Sequence, residues 1–242
     1  MRVLYQPQGR AREYSSWAVS SYKFCEHACS YCYVPEILRV TPEEFSKVQV
    51  RPNFLEYLEK DCLCAERDGI HIPETFLCFS CDPYPGIEAE YKQTRGAIEI
   101  LHKHGISVRL LTKAGVFATR DFDLLTNKDW FGCTLTFSDY DQSKHWEPNA
   151  ALPNGRIDTL QEANQEGIST WVSLEPVIDP EQTLKLINAC YEFVDHWKVG
   201  KLNYHPLEKT IDWKKFAHDV VMLFNDLECD YYIKDDLRKY LC

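Results

Sequence analysis

Short apolar runs and longer amphipathic stretches alternate along most of the chain. Apolar residues at 54, 55, 58, 62 and 65 predict an amphipathic helix over 53–67. Apolar runs at 75–79, 106–111, 132–137, 168–174 and 196–199 have strand length, and each closes on polar residues. Helical patterns at 88–104, 121–126, 153–166, 180–191 and 213–227 separate or follow them, and 231–242 reads as one further helix. Residues 17–20 form a short first strand, and Pro35 and Pro42 punctuate a connection behind it. Six strands alternating with helices predict a parallel sheet. Six units are too few for a closed eight-fold barrel, so the expected fold is α/β, an open partial (β/α)6 TIM-like barrel. One domain over 1–242 is expected, with its core at about 15–205 and a helical extension at about 210–242.

Composition narrows the class. A hydrophobic content of 45% marks a folded globular chain rather than a disordered one. The formal charge of −10 speaks against broad binding to a phosphate backbone, which depends on Lys and Arg. Residues 1–7 turn polar before an apolar segment can build, so no signal peptide is expected. No apolar run is long enough to span a bilayer. Eleven cysteines at this length, without the density of a disulfide scaffold, predict free thiols in a cytoplasmic protein.

The densest chemistry is at Phe24-Cys25-Glu26-His27-Ala28-Cys29-Ser30-Tyr31-Cys32-Tyr33, a C-x-x-x-C-x-x-C loop with an aromatic before its last cysteine. Three thiols this close in sequence are expected to face one common object. Soft thiolates select zinc or an iron–sulfur cluster. Zinc needs a fourth ligand, which His27 or a distant thiol would supply. A cubane held by three cysteines leaves one iron open to a small ligand.

This pattern resembles the radical S-adenosylmethionine (SAM) superfamily. The residues at 9–15, with Asp82-Pro83-Tyr84, Thr94-Arg95, Thr112-Lys113 and Arg120-Asp121, resemble its spore photoproduct lyase-like (DNA repair photolyase-like) branch. The resemblance runs from about Gly9 to Asn203 and implies the same partial barrel. It implies that Cys25, Cys29 and Cys32 hold a [4Fe–4S] cluster, with Tyr31 beside it, and that the open iron chelates the amino and carboxylate groups of SAM. The branch carries glycine where this chain has Phe24 and Ala28. The loop must therefore fold without positive φ at those two sites or accept strain.

In parallel α/β folds the site lies at the carboxyl ends of the strands. There Ser80 and Thr136 suit hydrogen bonding to SAM, and Lys113 suits its carboxylate. The resemblance likewise implies a serine on the second strand and a lysine on the third. Glu175 would hold a ribose or substrate hydroxyl, or else pair with a neighbouring cation. Cys78 and Cys81 sit on or after the second strand, where the branch places a hydrogen-atom donor. Alternation from Phe79 would put Cys78 and Ser80 on one face. A competing set, Cys62 and Cys64 with Cys78 and Cys81, would bind zinc or a second cluster. Cys133, Cys190, Cys229 and Cys242 carry no spacing signal.

The expected activity is reductive cleavage of SAM to a 5′-deoxyadenosyl radical that takes hydrogen from a substrate. An external one-electron reductant of flavodoxin or ferredoxin type is implied. The branch points to a pyrimidine dimer in DNA, although the acidic charge disfavours DNA. A peptide or small molecule, presented with or without a partner protein, is the alternative. A zinc-binding structural module is the reading from another class.

Overall fold

The computed structural model describes residues 2–241; Met1 and Cys242 lie outside the described residues. Seven strands form one parallel sheet: β1 (Ala18–Val19), β4 (Glu74–Leu77), β5 (Ser107–Thr112), β6 (Trp130–Thr134), β7 (Ser169–Val177), β8 (His196–Lys201) and β9 (Tyr231–Ile233). They lie side by side in that order, every neighbouring pair parallel. The two remaining strands, β2 (Tyr22–Lys23) and β3 (Gln49–Val50), make a separate antiparallel pair.

Helices fill the connections: α1 (Val34–Leu38), α2 (Pro42–Phe45), α3 (Phe54–Arg67), α4 (Glu88–Tyr91), α5 (Gln93–Lys103), α6 (Tyr140–Trp146), α7 (Pro153–Gln165), α8 (Pro180–Cys190), α9 (Trp213–Asp226) and α10 (Asp235–Arg238). The amphipathic reading of 53–67 is borne out. Phe54, Leu58, Cys62 and Ala65 are the buried residues of α3, at the three- and four-residue spacing of one helix face. On β5 burial alternates, with Val108, Leu110 and Thr112 inside. A smaller apolar cluster of Ala18, Phe76 and Trp171, with Tyr14 and Phe79 against it, is separate from the main core. Trp171 reaches across β6 to donate its indole N–H to the Leu110 carbonyl at 2.9 Å. Only glycine fits beneath it, since a Cβ on Gly132 would lie 2.3 Å from the indole nitrogen.

The expected open parallel βα sheet is therefore present, with a seventh strand. Residues 231–233 pair with β8 instead of opening a helix, and only 235–238 are α-helical in the tail. The helix expected over 88–104 is two helices, broken at Lys92, whose φ is 49°. The buried carboxylate of Glu88 explains the break. It accepts from Thr94 N at 3.0 Å and Arg95 N at 3.3 Å, capping α5 from outside. Of the stretch predicted as a helix at 121–126, residues 121–124 end a 3-10 segment, Gly115–Leu124, and the last two are outside it. Pro35 and Pro42 open α1 and α2 rather than a loop, because proline costs nothing where the helix N–H has no partner. Strand β4 ends at Leu77, so side-chain alternation does not extend through Cys78 and Ser80.

Candidate active site

The cysteine loop follows β2, and the chain accepts the strain there. Phe24 has φ 71° and Ala28 φ 53°, the left-handed region that suits glycine. Two neighbouring segments hold this geometry. The connection after α6 supplies one: Ser30 N donates to Trp146 O at 2.9 Å, and Asn149 Nδ2 to Glu26 O at 2.8 Å. The turn after β4 supplies the other, with Gly86 N on Glu26 Oε1 at 2.6 Å and Asp82 Oδ2 2.9 Å from His27 Nε2.

Asp82 ties the loop to the sheet. Its buried carboxylate also accepts from Tyr84 N, Thr112 Oγ1 and Lys113 N at 2.7–2.9 Å. Burial alone would raise its pKa, but His27 and these donors hold it down at about 2. His27 is thereby engaged, with Nε2 at Asp82 and Nδ1 3.3 Å from the Asn149 carbonyl.

Cys25, Cys29 and Cys32 line one cavity of about 900 Å³ at the carboxyl ends of the strands. Burial pushes all three thiols up, Cys29 to about 11. A bound metal would displace those protons. Among the described residues no three Cys, His, Asp or Glu side chains converge on a single ion. The Cys62 and Cys64 set is not assembled: Cys62 packs into the core from α3, and of the four thiols only Cys78 and Cys81 line the cavity.

Of the other predicted residues, Tyr31, Ser80, Lys113 and Glu175 line the same cavity, and Thr136 does not. Thr136 is buried, with Oγ1 3.3 Å from the Tyr31 hydroxyl, which donates to Glu147. Glu147 is buried and paired with Arg156 at 2.5 Å. The Lys113 ammonium lies 3.9 Å from Glu147 and 5.5 Å from the Tyr31 ring centre. Burial works against its charge, but Cys29 and Glu147 more than offset that and raise its pKa. Ser80 Oγ donates to Ser20 at 3.3 Å. Cys78 is buried with Ser21 N and Oγ each at 3.4 Å. Burial and the neighbouring Cys78 raise the Cys81 pKa.

Glu175 has the partners of an ion pair: Lys234 Nζ at 2.7 and 2.9 Å and the Tyr14 hydroxyl at 2.5 Å. Tyr14 is also 2.9 Å from Ser173 Oγ. Gly200 allows this packing, since a Cβ there would sit 2.7 Å from Glu175 Cδ. Sequence reasoning gave no role to Ser173 or Lys234 and held Tyr14 only within the 9–15 motif; Tyr14 and Lys234 meet Glu175 through the fold. The motif residues Thr94, Arg95, Arg120 and Asp121 are scaffold. Thr94 Oγ1 donates to Pro83 O at 2.5 Å, and the two arginines bridge Glu88, Asp121 and Asp123.

No family model matches the chain. It is 25% identical over 185 residues to an uncharacterized protein of Acidianus two-tailed virus, covering 74% of this chain and 61% of that protein. An uncharacterized protein of Methanocaldococcus jannaschii is 24% identical over 169 residues, covering 68% and 61%. The chain thus spans about three fifths of these curated relatives. A solved spore photoproduct lyase variant with bound AdoMet and dinucleoside spore photoproduct superposes with a TM-score of 0.73 at 13% identity, covering 95% of this chain and 79% of that one. The chain has the fold of spore photoproduct lyase. Streptococcus suis SuiB bound to S-adenosylmethionine shares it, with a TM-score of 0.69, 13% identity and coverage of 93% and 51%. At 13% identity both likenesses are of fold, and it is the fold that the resemblance read from the residues implied. Among the described residues no helix is long and apolar enough to cross a membrane.

Proposed function

We propose that this chain is a radical SAM enzyme whose Cys25, Cys29 and Cys32 hold a [4Fe–4S] cluster. The observation that carries the reading is the common cavity: three loop thiols and the polar ends of successive parallel strands face one space of about 900 Å³. When bound, the cluster and SAM would supply, with one electron from an external reductant, a 5′-deoxyadenosyl radical. The chain's own residues have the complementary tasks. Asp82, through His27, orients the cysteine loop. Lys113 offers a positive charge beside Cys29 for a carboxylate, and Ser80 a hydroxyl. The Tyr31–Glu147–Arg156 network walls the thiol side with satisfied polar groups. Cys81, kept protonated by burial, retains the S–H that a hydrogen-atom donor needs, and Cys78 lies beside it.

The test is anaerobic reconstitution with iron and sulfide, followed by dithionite and SAM, with 5′-deoxyadenosine measured in wild type and Cys29→Ala. Deoxyadenosine from the wild type alone supports the reading. A colourless protein that binds about one zinc instead would refute it. The dinucleoside lesion bound to the structural neighbour favours a DNA substrate as a second reading. The charge of −10 opposes it. No binding to oligonucleotides even at low salt would remove the DNA version and leave the radical chemistry standing.

A further inference from the structure

Beyond Lys113, the cavity has cationic groups that the proposed cofactors do not use. The chain carries a net charge of −10, yet Arg10, Lys113, Lys201 and Lys234 all line this one space. The acids there are largely committed, Asp82 to His27 and Glu175 to Lys234. Lys201 is different. It ends β8 and is 9% exposed. Among the described residues its ammonium has one carboxylate within 4 Å, Glu208 at 3.7 Å, and donates no hydrogen bond. The Trp213 ring, 5.4 Å away, backs it. An ammonium carries three donors, and one carboxylate at this distance leaves donors for a ligand in the cavity that Lys201 lines. Arg10, half exposed and paired with Asp236 at 3.2 Å, adds a second positive group to the same lining.

Lys201 is not the partner expected for the SAM carboxylate. That role falls to Lys113 beside Cys29, on β5. Strands β5 and β8 are three places apart in the sheet, about 14 Å at the usual strand spacing. Lys113 and Lys201 therefore enter the cavity from strands on opposite sides of β6 and β7. We infer that the β8 side of the cavity binds a carboxylate or phosphate group of the substrate, with Lys201 as its cationic partner. Calling the ligand a substrate rests on the proposed radical SAM reading; the anion site itself does not.

The test is calorimetric titration of the full chain, without SAM, with inorganic phosphate and separately with acetate. Wild type, Lys201→Gln, Lys201→Arg and Lys113→Gln are compared. Expected is binding of at least one anion to wild type, weakened on the order of tenfold or more in Lys201→Gln and largely kept in the other two. Preference for phosphate assigns a phosphorylated substrate, and preference for acetate a carboxylate. If Lys201→Gln does not fold, protection of wild-type Lys201 from trinitrobenzenesulfonate by the same anions, mapped by mass spectrometry, decides. No anion binding to wild type, unchanged binding in Lys201→Gln, loss only in Lys113→Gln, or an unprotected Lys201 overturns the inference. Because no cluster or SAM is needed, failure here is separable from failure to form 5′-deoxyadenosine.

Discussion

Two residues in the cysteine loop carry the same backbone strain with opposite consequences. Ala28 is exposed at φ 53°, so its methyl group packs against little and costs about 1–2 kcal/mol in the left-handed region. Glycine relieves that cost but returns about 0.4–1 kcal/mol of freedom to the unfolded chain. Ala28→Gly is therefore expected to stabilise by about 0.5–1 kcal/mol, read as a higher urea midpoint at unchanged m. Phe24 is buried, its ring 5.7 Å from that of Phe45. Deleting a buried aromatic costs about 3–5 kcal/mol, so Phe24→Gly should destabilise by about 2 kcal/mol or more. If both substitutions stabilise, burial of Phe24 is not what keeps it there. The three cysteines were legible as a set because their spacing is local, and all three line one cavity. The tolerance of φ > 0 at Phe24 and Ala28 was not, because it depends on Trp146 and Asn149, more than 100 residues away.

At the scale of elements, buried carboxylates set where helices and strands begin. Glu88 splits the α4–α5 pattern that periodicity alone reads as one helix. Asp129 does a related job between strands. Oδ1 accepts from Val108 N at 2.7 Å and faces His102 Nε2 at 3.0 Å, while Oδ2 accepts from Thr126 N and Oγ1 at 2.8 Å. It pins the starts of β5 and β6 to the end of α5. Burial alone would raise its pKa, but these donors outweigh it and lower it. A carboxylate with a depressed folded pKa contributes stability above its unfolded value, near 3.9, and loses it as pH falls through the folded value. Wild type should thus lose stability on acidification through that range, and Asp129→Asn should start less stable at neutral pH and vary less there. Asp129→Ala should cost about 3 kcal/mol, since it strands several buried donors. Urea midpoints from pH 7 down to 3 check both; a parallel pH profile for wild type and Asp129→Asn would contradict the assignment. Strands and long helices were readable because their apolar periods are strong. Helix α6, Tyr140–Trp146, was missed because it is short and mostly polar, with an Asp139 cap as its main signal. Strand β9 was missed because three residues carry no period.

At the scale of the whole molecule, the cavity is closed by segments far apart in sequence. Glu13 Oε2 accepts from the Tyr232 hydroxyl at 3.2 Å and from Asp235 N at 3.0 Å, and its carbonyl accepts from Lys198 Nζ at 2.6 Å. Tyr14 beside it donates to Glu175 on β7, and Lys234, one residue beyond β9, pairs with the same carboxylate. Residues 9–14 and 231–236 thus meet over the β7–β9 side and shape the space in which Lys201 lies. The tail is part of the site rather than a helical appendage. Lys234 is 2% exposed and Glu175 only partly exposed, so removing one partner leaves a charge in a poorly hydrated place. Lys234→Met is expected to destabilise by about 3 kcal/mol or more, as breaking buried pairs does. Replacing both partners, Lys234→Met with Glu175→Leu, removes the stranded charge. That double variant should recover much of the loss in urea unfolding while the cavity loses its polar β7 wall. Full additivity of the two single changes would mean that the pair is not coupled. Recovery of stability together with loss of 5′-deoxyadenosine formation would place Glu175 among the groups that orient the bound molecules. Recovery of both would leave it as a structural tie between the tail and the sheet.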